Sequence, residues 1–491
     1  LTAFFDAVAA QSEAHSQTPL LRAPDGRTLT HGAALQRSAR MAGALRQLGV
    51  TPGDRVAAMV DKSFGAVLLY LACLQSGAVY VPINPGFRAE ETSHVLTDAT
   101  PTLVVCDPGR EAWFATLVPG TRAVALPALD GPPLPANTGG GLAVILYTSG
   151  TTGRPKGAML SQANILANGI ALSQFWRFTS DDVLLHAVPL FHSHGLFVSL
   201  SCTLLSGSSL ILIPKFAAEE VAALLPAATV FMGVPTMYSR LAAHRALGPA
   251  QCRGVRLFAC GSAPLSPADY AAFTRRTGRP IVERYGMSET AINTSTPLDG
   301  PFQPGSVGVA LPGVELRIQA APGAEGPIHV RGPHVFGGYW NQPAQTAAVL
   351  QPDGWFDTGD LGRLDTAGVL TLVGRAKDLI ISGGYNVYPI EVERVLQDLP
   401  GVAEAAVVGL PHPDYGEAVT AILVPAAGAE LREPAVIAAV RDRLAAYKAP
   451  KRVMLTDALP RNPIGKVQKT VLQQRYAALY RPPPATASRQ E

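Results

Sequence analysis

The chain has 491 residues, 47% of them hydrophobic and only 16% charged, with a formal net charge of +3. That length is too great for one core, so roughly two to four domains or subdomains are expected. The low charge, with no basic block and no basic–aromatic alternation, excludes an extended nucleic-acid surface. Five cysteines (Cys73, Cys106, Cys202, Cys252, Cys260) show no C-x-x-C spacing. Neither a disulfide framework nor a zinc site is read from them, and a cytoplasmic location is expected. Leu1 opens into an amphipathic segment with no basic n-region or cleavage site, so no secretory signal is read. The apolar runs at 66–73 and 210–213 fall well short of the ~20 residues that span a bilayer.

In chain order, residues 35–48 have helical spacing, 55–60 are strand-like, 63–75 are helical again and 79–82 form a short strand. This alternation argues for α/β layers on parallel sheet. Residues 127–141 are rich in Pro, Gly and small side chains and read as a surface connection. Ala143-Val144-Ile145-Leu146-Tyr147 then reads as a strand running into Thr148-Ser149-Gly150-Thr151-Thr152-Gly153-Arg154-Pro155-Lys156-Gly157. Glycines let the backbone approach a ligand and point successive N–H groups at it. Hydroxyls and one lysine complete a loop suited to polyphosphate, the alternative being a plain polar turn. The spacing is not that of a Walker A loop, because Arg-Pro-Lys-Gly follows Gly153.

Further on, Leu257-Phe258-Ala259-Cys260 reads as a strand entering the small-residue turn Gly261-Ser262-Ala263-Pro264-Leu265. Glu283-Arg284-Tyr285-Gly286-Met287-Ser288-Glu289-Thr290 offers a tyrosine that can stack on a purine and a glutamate that can ligate Mg²⁺. In Trp355-Phe356-Asp357-Thr358-Gly359-Asp360, Asp360 can accept two ribose hydroxyls. A boundary is read near Gly374-Arg375-Ala376-Lys377-Asp378. Beyond it a helix over 389–399 begins with Pro in the first turn and acids near its positive end. Strands over 405–409 and 418–424 and a helix over 435–447 complete a small α+β unit. Pro460-Arg461-Asn462-Pro463-Ile464-Gly465-Lys466 follows, and the Pro-rich tail at 481–491 is expected to be disordered. No internal repeat is found.

Together these motifs resemble those of the adenylate-forming enzymes, the acyl-CoA synthetase superfamily. The resemblance implies an α/β fold: a large multi-subdomain N-terminal domain with mixed sheets at 1–376, and a small α+β C-terminal domain at 377–480 on a hinge at Lys377. It implies three cofactors and cosubstrates: ATP, Mg²⁺ and coenzyme A. Thr148, Ser149, Gly150, Thr151, Thr152, Gly153 and Lys156 would meet the phosphates. Gly261, Ser262, Ala263 and Pro264 would lie on one face of the adenine and Tyr285 on the other, Glu283, Gly286 and Met287 would also bind ATP, and Ser288 or Thr290 would help bind phosphate. Asp360 would hold the ribose and Arg375 the ribose or phosphates. Glu289 would hold the metal; Lys466, Glu289 and Thr151 are the catalytic candidates, with Lys466 entering for adenylation. Gly383, Gly384 and Tyr385 would pass the pantetheine. The bland reading of Lys377 is a solvated linker lysine, and that of Gly383-Gly384 is a β-turn.

Arg284 bears on the acid. Pointed into an acyl pocket it would need a second anion from the substrate, because an unpaired buried charge costs several kcal/mol. Pointed outward it would form a surface pair. The segments at 189–198, 232–236, 261–265, 283–290 and 383–389 are similar to those of malonyl-CoA synthetases. That resemblance implies that Arg284 grips the distal carboxylate, with Ser262, His194, Ser193 and Ile292 around it. Ser193 and Ile292 depart from bulkier residues in some of those enzymes, which makes methylmalonate a second candidate. The reading is a malonate–CoA ligase acting on malonate, ATP and CoA, with no nucleic acid, membrane or obligate protein partner. A ligase for another short acid, an adenylation enzyme loading a carrier protein in trans, a catalytically inactive ligand sensor and a luciferase-like monooxygenase on the same fold stay open.

Overall fold

The computed structural model describes residues 3–135, 141–148, 155–383, 385–462 and 465–480. The chain divides into two compact units. One comprises Leu1–Arg317, His329–Thr358 and Ala367–Leu370; the other comprises Ile318–Ile328, Gly359–Thr366 and Thr371–Glu491. The sequence and local chemistry account for the α/β layering of the first. The helix Phe64–Ser76 is capped by Ser63, whose side chain accepts from the Ala66 N–H, and it ends at Gly77 with φ +74°. Ala66 through Ser76 are all buried, so this helix is apolar all round and lies inside the unit.

The first unit holds two mixed sheets. One has six strands in the order Ala123–Ala125, Leu103–Cys106, Arg55–Met59, Val79–Pro82, Leu142–Thr148, Lys156–Ser161. Its last pair is antiparallel and the others are parallel. In the nine-stranded sheet, the strands Ser209–Leu212, Val183–His186, Val230–Gly233, Leu257–Cys260 and Val282–Met287 are neighbours in that order and parallel. The strands Val230–Gly233 and Leu257–Cys260 are buried at every residue, as a sheet covered on both faces requires. Phe231, Tyr238, Phe258 and Phe273 pack as a core cluster there, each ring contributing about 1.5–3 kcal/mol by burial.

In the second unit a long hairpin, Val402–His412 with Gly416–Pro425, is flanked by Ile380–Ser382 and by the parallel strand Arg452–Leu455. Side chains alternate across the sheet. Ala405 and Val407 pack with Val392, Leu396, Val436 and Val440, whereas Ala406, Val408 and Leu410 pack with Leu472. Both faces are covered, so the hairpin reads in sequence as a continuous apolar run.

The strands expected at 405–409 and 418–424 are longer, the helix expected at 389–399 ends at Gln397, and two other helices differ in their bounds. The helix expected at 35–48 starts earlier, at His31–Gln47, because Thr30 caps it by accepting from the Ala33 N–H. The helix expected at 435–447 is Glu433–Arg441 and ends early. Beyond it Tyr447 stacks on Tyr385 at 4.7 Å, and Lys448 pairs with Glu391 at 2.7 Å. Those tertiary partners compete with helical continuation ahead of Pro450. All five cysteines are free and buried. Among the described residues no helix is long and apolar enough to cross a membrane.

Candidate active site

Ligands of open α/β sheets gather beyond the carboxyl ends of the parallel strands. In the first unit, Gly261 and Ser262 follow the strand Leu257–Cys260, and Arg284 lies in Val282–Met287. The turn after Cys260 has a fixed exit. Ser266 caps the helix Pro267–Thr277, accepting from the Asp269 N–H at 3.0 Å, and Pro267 presets its first turn. Within the turn Ser262 adopts φ +70°, a strained conformation for a residue with a Cβ, of the kind that gathers at functional sites.

The structure buries Arg284, leaving it 6% exposed. Its Nε and Nη2 have no hydrogen-bond partner among the described residues. Its guanidinium lies against Gly261: a Cβ added there would come within 2.6 Å of Arg284 Cζ and Nη1. Burial draws the Arg284 pKa down to about 10, so it remains a cation at neutral pH. Ser262 Oγ lies 3.4 Å from His194 Nδ1. His194 is buried and its Nε2 has no partner among the described residues. Burial, and then the Arg284 charge, hold its pKa well below the usual histidine value, so the ring is neutral. His194 opens a π-helical turn, His194–Ser199, a rare form that is frequent at functional sites. His186 Nε2 donates to the Gly195 carbonyl at 3.1 Å and fixes that turn. Arg284, Gly261, Ser262 and His194 are thus brought together, with half-buried Ser193 next in sequence.

Ile292 lies one strand over, paired with Gly286. Asn168, from the helix Gln162–Phe175, holds its backbone at both groups, donating Nδ2–H to its carbonyl at 2.7 Å and accepting its N–H at 3.3 Å. Gly286 has no room for a side chain, since a Cβ would fall 1.8 Å from the Ala291 carbonyl oxygen. It sits at a bulge opposite Ile292, and Ala291, the residue before Ile292, has φ +52°. Tyr285 is buried, Met287 and Ser288 are half-buried, and Glu283 Oε1 accepts from the Gly305 N–H at 2.9 Å. Glu283 therefore anchors the loop at 305.

Glu289 is buried and its Oε1 accepts from Tyr339 Oη at 2.9 Å. Burial, and then the neighbouring Glu289, push the Tyr339 phenol up, so it stays a donor. No group of three or more metal-ligating side chains occurs among the described residues. A lone carboxylate nevertheless suits Mg²⁺, which is commonly shared with substrate phosphates. Thr148 and Lys156 form the stem of the loop expected to bind phosphate, paired in antiparallel register. Ser149, Gly150, Thr151, Thr152 and Gly153 lie outside the described residues. Ala263 and Pro264 follow Ser262, with Pro264 exposed.

In the second unit, Arg375 Nε lies 3.1 Å from Asp360 Oδ1, and Asp360 is buried. Lys466 belongs to the same cluster and sits in a tight turn, where its N–H donates to Asn462 Oδ1 at 2.9 Å. Burial, and then the Arg375 charge, lower its pKa to about 8. Pro463 and Ile464 lie outside the described residues. Lys377 is exposed on the turn Ala376–Asp378. Gly383, at φ +59°, follows Ile380–Ser382 in the hairpin that returns as Tyr385–Val387, and Tyr385 is 60% exposed. Gly384 lies outside the described residues. The sequence reading missed Tyr339 and Asn168. The signal at the first is the run Gly337-Gly338-Tyr339-Trp340; at the second it is only a polar residue in an apolar helix.

This fold and these motifs define an adenylate-forming enzyme. A profile of the AMP-binding enzyme family matches residues 8–340, and one of the AMP-binding enzyme C-terminal domain matches 391–466. The chain belongs to the AMP-binding enzyme family and is an ATP-dependent, acyl-adenylate-forming CoA ligase. It is similar to ATP-bound MatB from Rhodopseudomonas palustris, with a TM-score of 0.94 and 41% identity, covering 98% of this chain and 100% of that one. Feruloyl-CoA synthase of an Amycolatopsis species is 39% identical over 472 residues, covering 92% of this chain and 94% of the relative. Mitochondrial malonate–CoA ligase ACSF3 of Mus musculus is 33% identical over 492 residues, covering 89% and 84%.

The contact between Gly261 and Arg284 yields a test. Gly261→Ala is expected to displace the guanidinium and lower kcat/KM for the acid substrate by about 10–100-fold, the scale of an ångström-level misplacement. The KM for ATP should move much less. An equal rise in the KM for ATP instead assigns Gly261 to the nucleotide.

Proposed function

We propose that the acid is malonate, with methylmalonate as a second substrate. A malonate oxygen attacks the α-phosphorus of ATP and pyrophosphate leaves. The CoA sulfur then attacks the acyl carbon of malonyl-adenylate, forming the thioester and releasing AMP. The observation that carries the reading is Arg284, a buried cation with two nitrogens that have no partner among the described residues, beside Ser262 and His194. A distal carboxylate fits a guanidinium bidentately and offsets a cost otherwise incurred without return. The neutral His194 ring adds a polar neighbour without a competing charge. The similarity to MatB and to the mouse malonate–CoA ligase supports this choice.

Lys466, Arg375 and Asp360 are proposed to serve the nucleotide: Asp360 at the ribose, Arg375 beside it, and Lys466 at the phosphate charge that builds during adenylation. Tyr285 is proposed to lie against the adenine, and the stem residues Thr148 and Lys156 to serve the phosphates. Glu289 is proposed to hold Mg²⁺, which when bound neutralises charge on the phosphate oxygens. Gly383 and Tyr385 are proposed to border the pantetheine, and Lys377 to act as the hinge.

A second reading is an aromatic acid, favoured by the 39% identity to feruloyl-CoA synthase. An aromatic acid would leave Arg284 unpaired unless it brought its own anion. The test is pyrophosphate release with CoA over acetate, propionate, malonate, methylmalonate, succinate and ferulate. Malonate is expected to give the highest kcat/KM. Ferulate well ahead of every dicarboxylate would overturn the assignment.

A further inference from the structure

We propose that Tyr339 is the positioning residue that sets the Glu289 carboxylate for a divalent cation and ties it to the stem of the phosphate loop. This rests on the reading of Glu289 and of the stem residues Thr148 and Lys156 given above. The two features lie on different elements, and the segment 336–340 spans them. At one end the Phe336 N–H donates to the Glu289 carbonyl at 2.8 Å. At the other it pairs like an added strand with Lys156–Ser161. Gly337 N–H donates to the Met159 carbonyl at 2.9 Å, Met159 N–H to the Gly338 carbonyl at 3.0 Å, and Trp340 N–H to the Gly157 carbonyl at 2.8 Å. Ala158 and Tyr339 face each other in an antiparallel bridge.

Tyr339 uses both ends of its side chain in this span. Its hydroxyl donates to Glu289 Oε1 at 2.9 Å, and Lys156 Nζ lies 5.2 Å from its ring centroid. The ring is itself held, by an edge contact with Phe336 at 4.9 Å between centroids. The Tyr339 N–H donates to Thr346 Oγ1 at 2.9 Å. Gly338 keeps φ +122°, and a Cβ there would meet Thr346 Cγ2 at 2.6 Å, so the turn presenting Tyr339 tolerates little change. Asn164 Nδ2 braces the preceding stretch through the carbonyls of Pro333 and Val335, both at 2.8 Å. One phenol therefore orients the candidate metal ligand and lies under the candidate phosphate lysine. Groups that orient a ligating carboxylate in this way commonly set metal affinity.

Tyr339→Phe removes the hydroxyl and keeps the ring, and with it the lysine contact. Binding of Mn²⁺ to the full-length enzyme with a non-hydrolysable ATP analogue, followed by electron paramagnetic resonance, is the direct readout. Tyr339→Phe is expected to weaken Mn²⁺ by about tenfold, within the usual range for loss of such a partner. The Mg²⁺ concentration giving half-maximal malonate-dependent pyrophosphate exchange should rise in parallel, with the KM for malonate within about twofold of wild type. Glu289→Gln is the companion variant. If Glu289→Gln loses Mn²⁺ affinity and Tyr339→Phe keeps it, Tyr339 does not position the carboxylate and the proposal fails. If neither variant changes Mn²⁺ binding, the assignment of Glu289 fails and the proposal falls with it.

Discussion

Lys466→Ala is expected to lower malonate-dependent pyrophosphate exchange by about two to three orders of magnitude. That is the scale of removing one group aimed at transition-state charge. The lysine sits in a cluster with Asp360 and Arg375, and its charge is already disfavoured there by burial and by the guanidinium. Two consequences follow from its pKa of about 8. At neutral pH most of the enzyme carries the charge. As pH rises through about 8 the proton is lost, so kcat/KM for adenylation should fall on the alkaline side. Lys466→Arg holds its charge throughout, so any activity it retains should lack that alkaline fall. Thioester formation from supplied malonyl-adenylate should suffer far less, because the bond to the α-phosphorus is already made. Equal losses in both half-reactions would contradict a role specific to adenylation.

What was legible in the sequence was what depends on neighbours in the chain. Turn residues and an apolar run place the strand Leu257–Cys260 and the turn after it. The motif around Tyr285 lies in the strand Val282–Met287 and the turn that leads into Ala291–Ser295, and Gly286 within it admits nothing larger. Sequence left Arg284 open between a surface pair and a buried cation, and the structure buries it. What was illegible depends on partners far apart in the chain. Tyr339 and Glu289 are 50 residues apart, and Asn168 and Ile292 are 124 apart, so no periodicity reports either pair. The early end of the helix Glu433–Arg441 has the same origin, since the pull on Tyr447 and Lys448 comes from Tyr385 and Glu391. The loop at 149–154, the most informative run in the sequence, lies outside the described residues.

Arg284→Leu is expected to cost about 3–5 kcal/mol in kcat/KM for malonate, as for breaking one half of a buried ion pair. At ~1.4 kcal/mol per decade that is roughly a hundred- to several-thousand-fold. The physical basis is the cation itself: it is 6% exposed, its Nε and Nη2 have no partner among the described residues, and it lies against a glycine that leaves room for it. Propionate should be poor with the native protein, because it fills the pocket without supplying the anion. It should gain relative to malonate in the variant, since selectivity is a difference between competing acids. Ferulate should gain in the same sense. A further consequence concerns stability. An unpaired buried charge opposes folding, and an apolar side chain of similar volume in its place is often neutral or stabilising. The ligand-free Arg284→Leu protein should therefore melt at or above the wild-type temperature while losing malonate activity. That combination separates a residue kept for substrate from one kept for the fold. The measurements are kcat/KM for malonate, propionate and ferulate in both proteins, with thermal unfolding of each. A variant that loses all three acids equally, and melts lower, would make Arg284 structural and remove the physical support for a dicarboxylate.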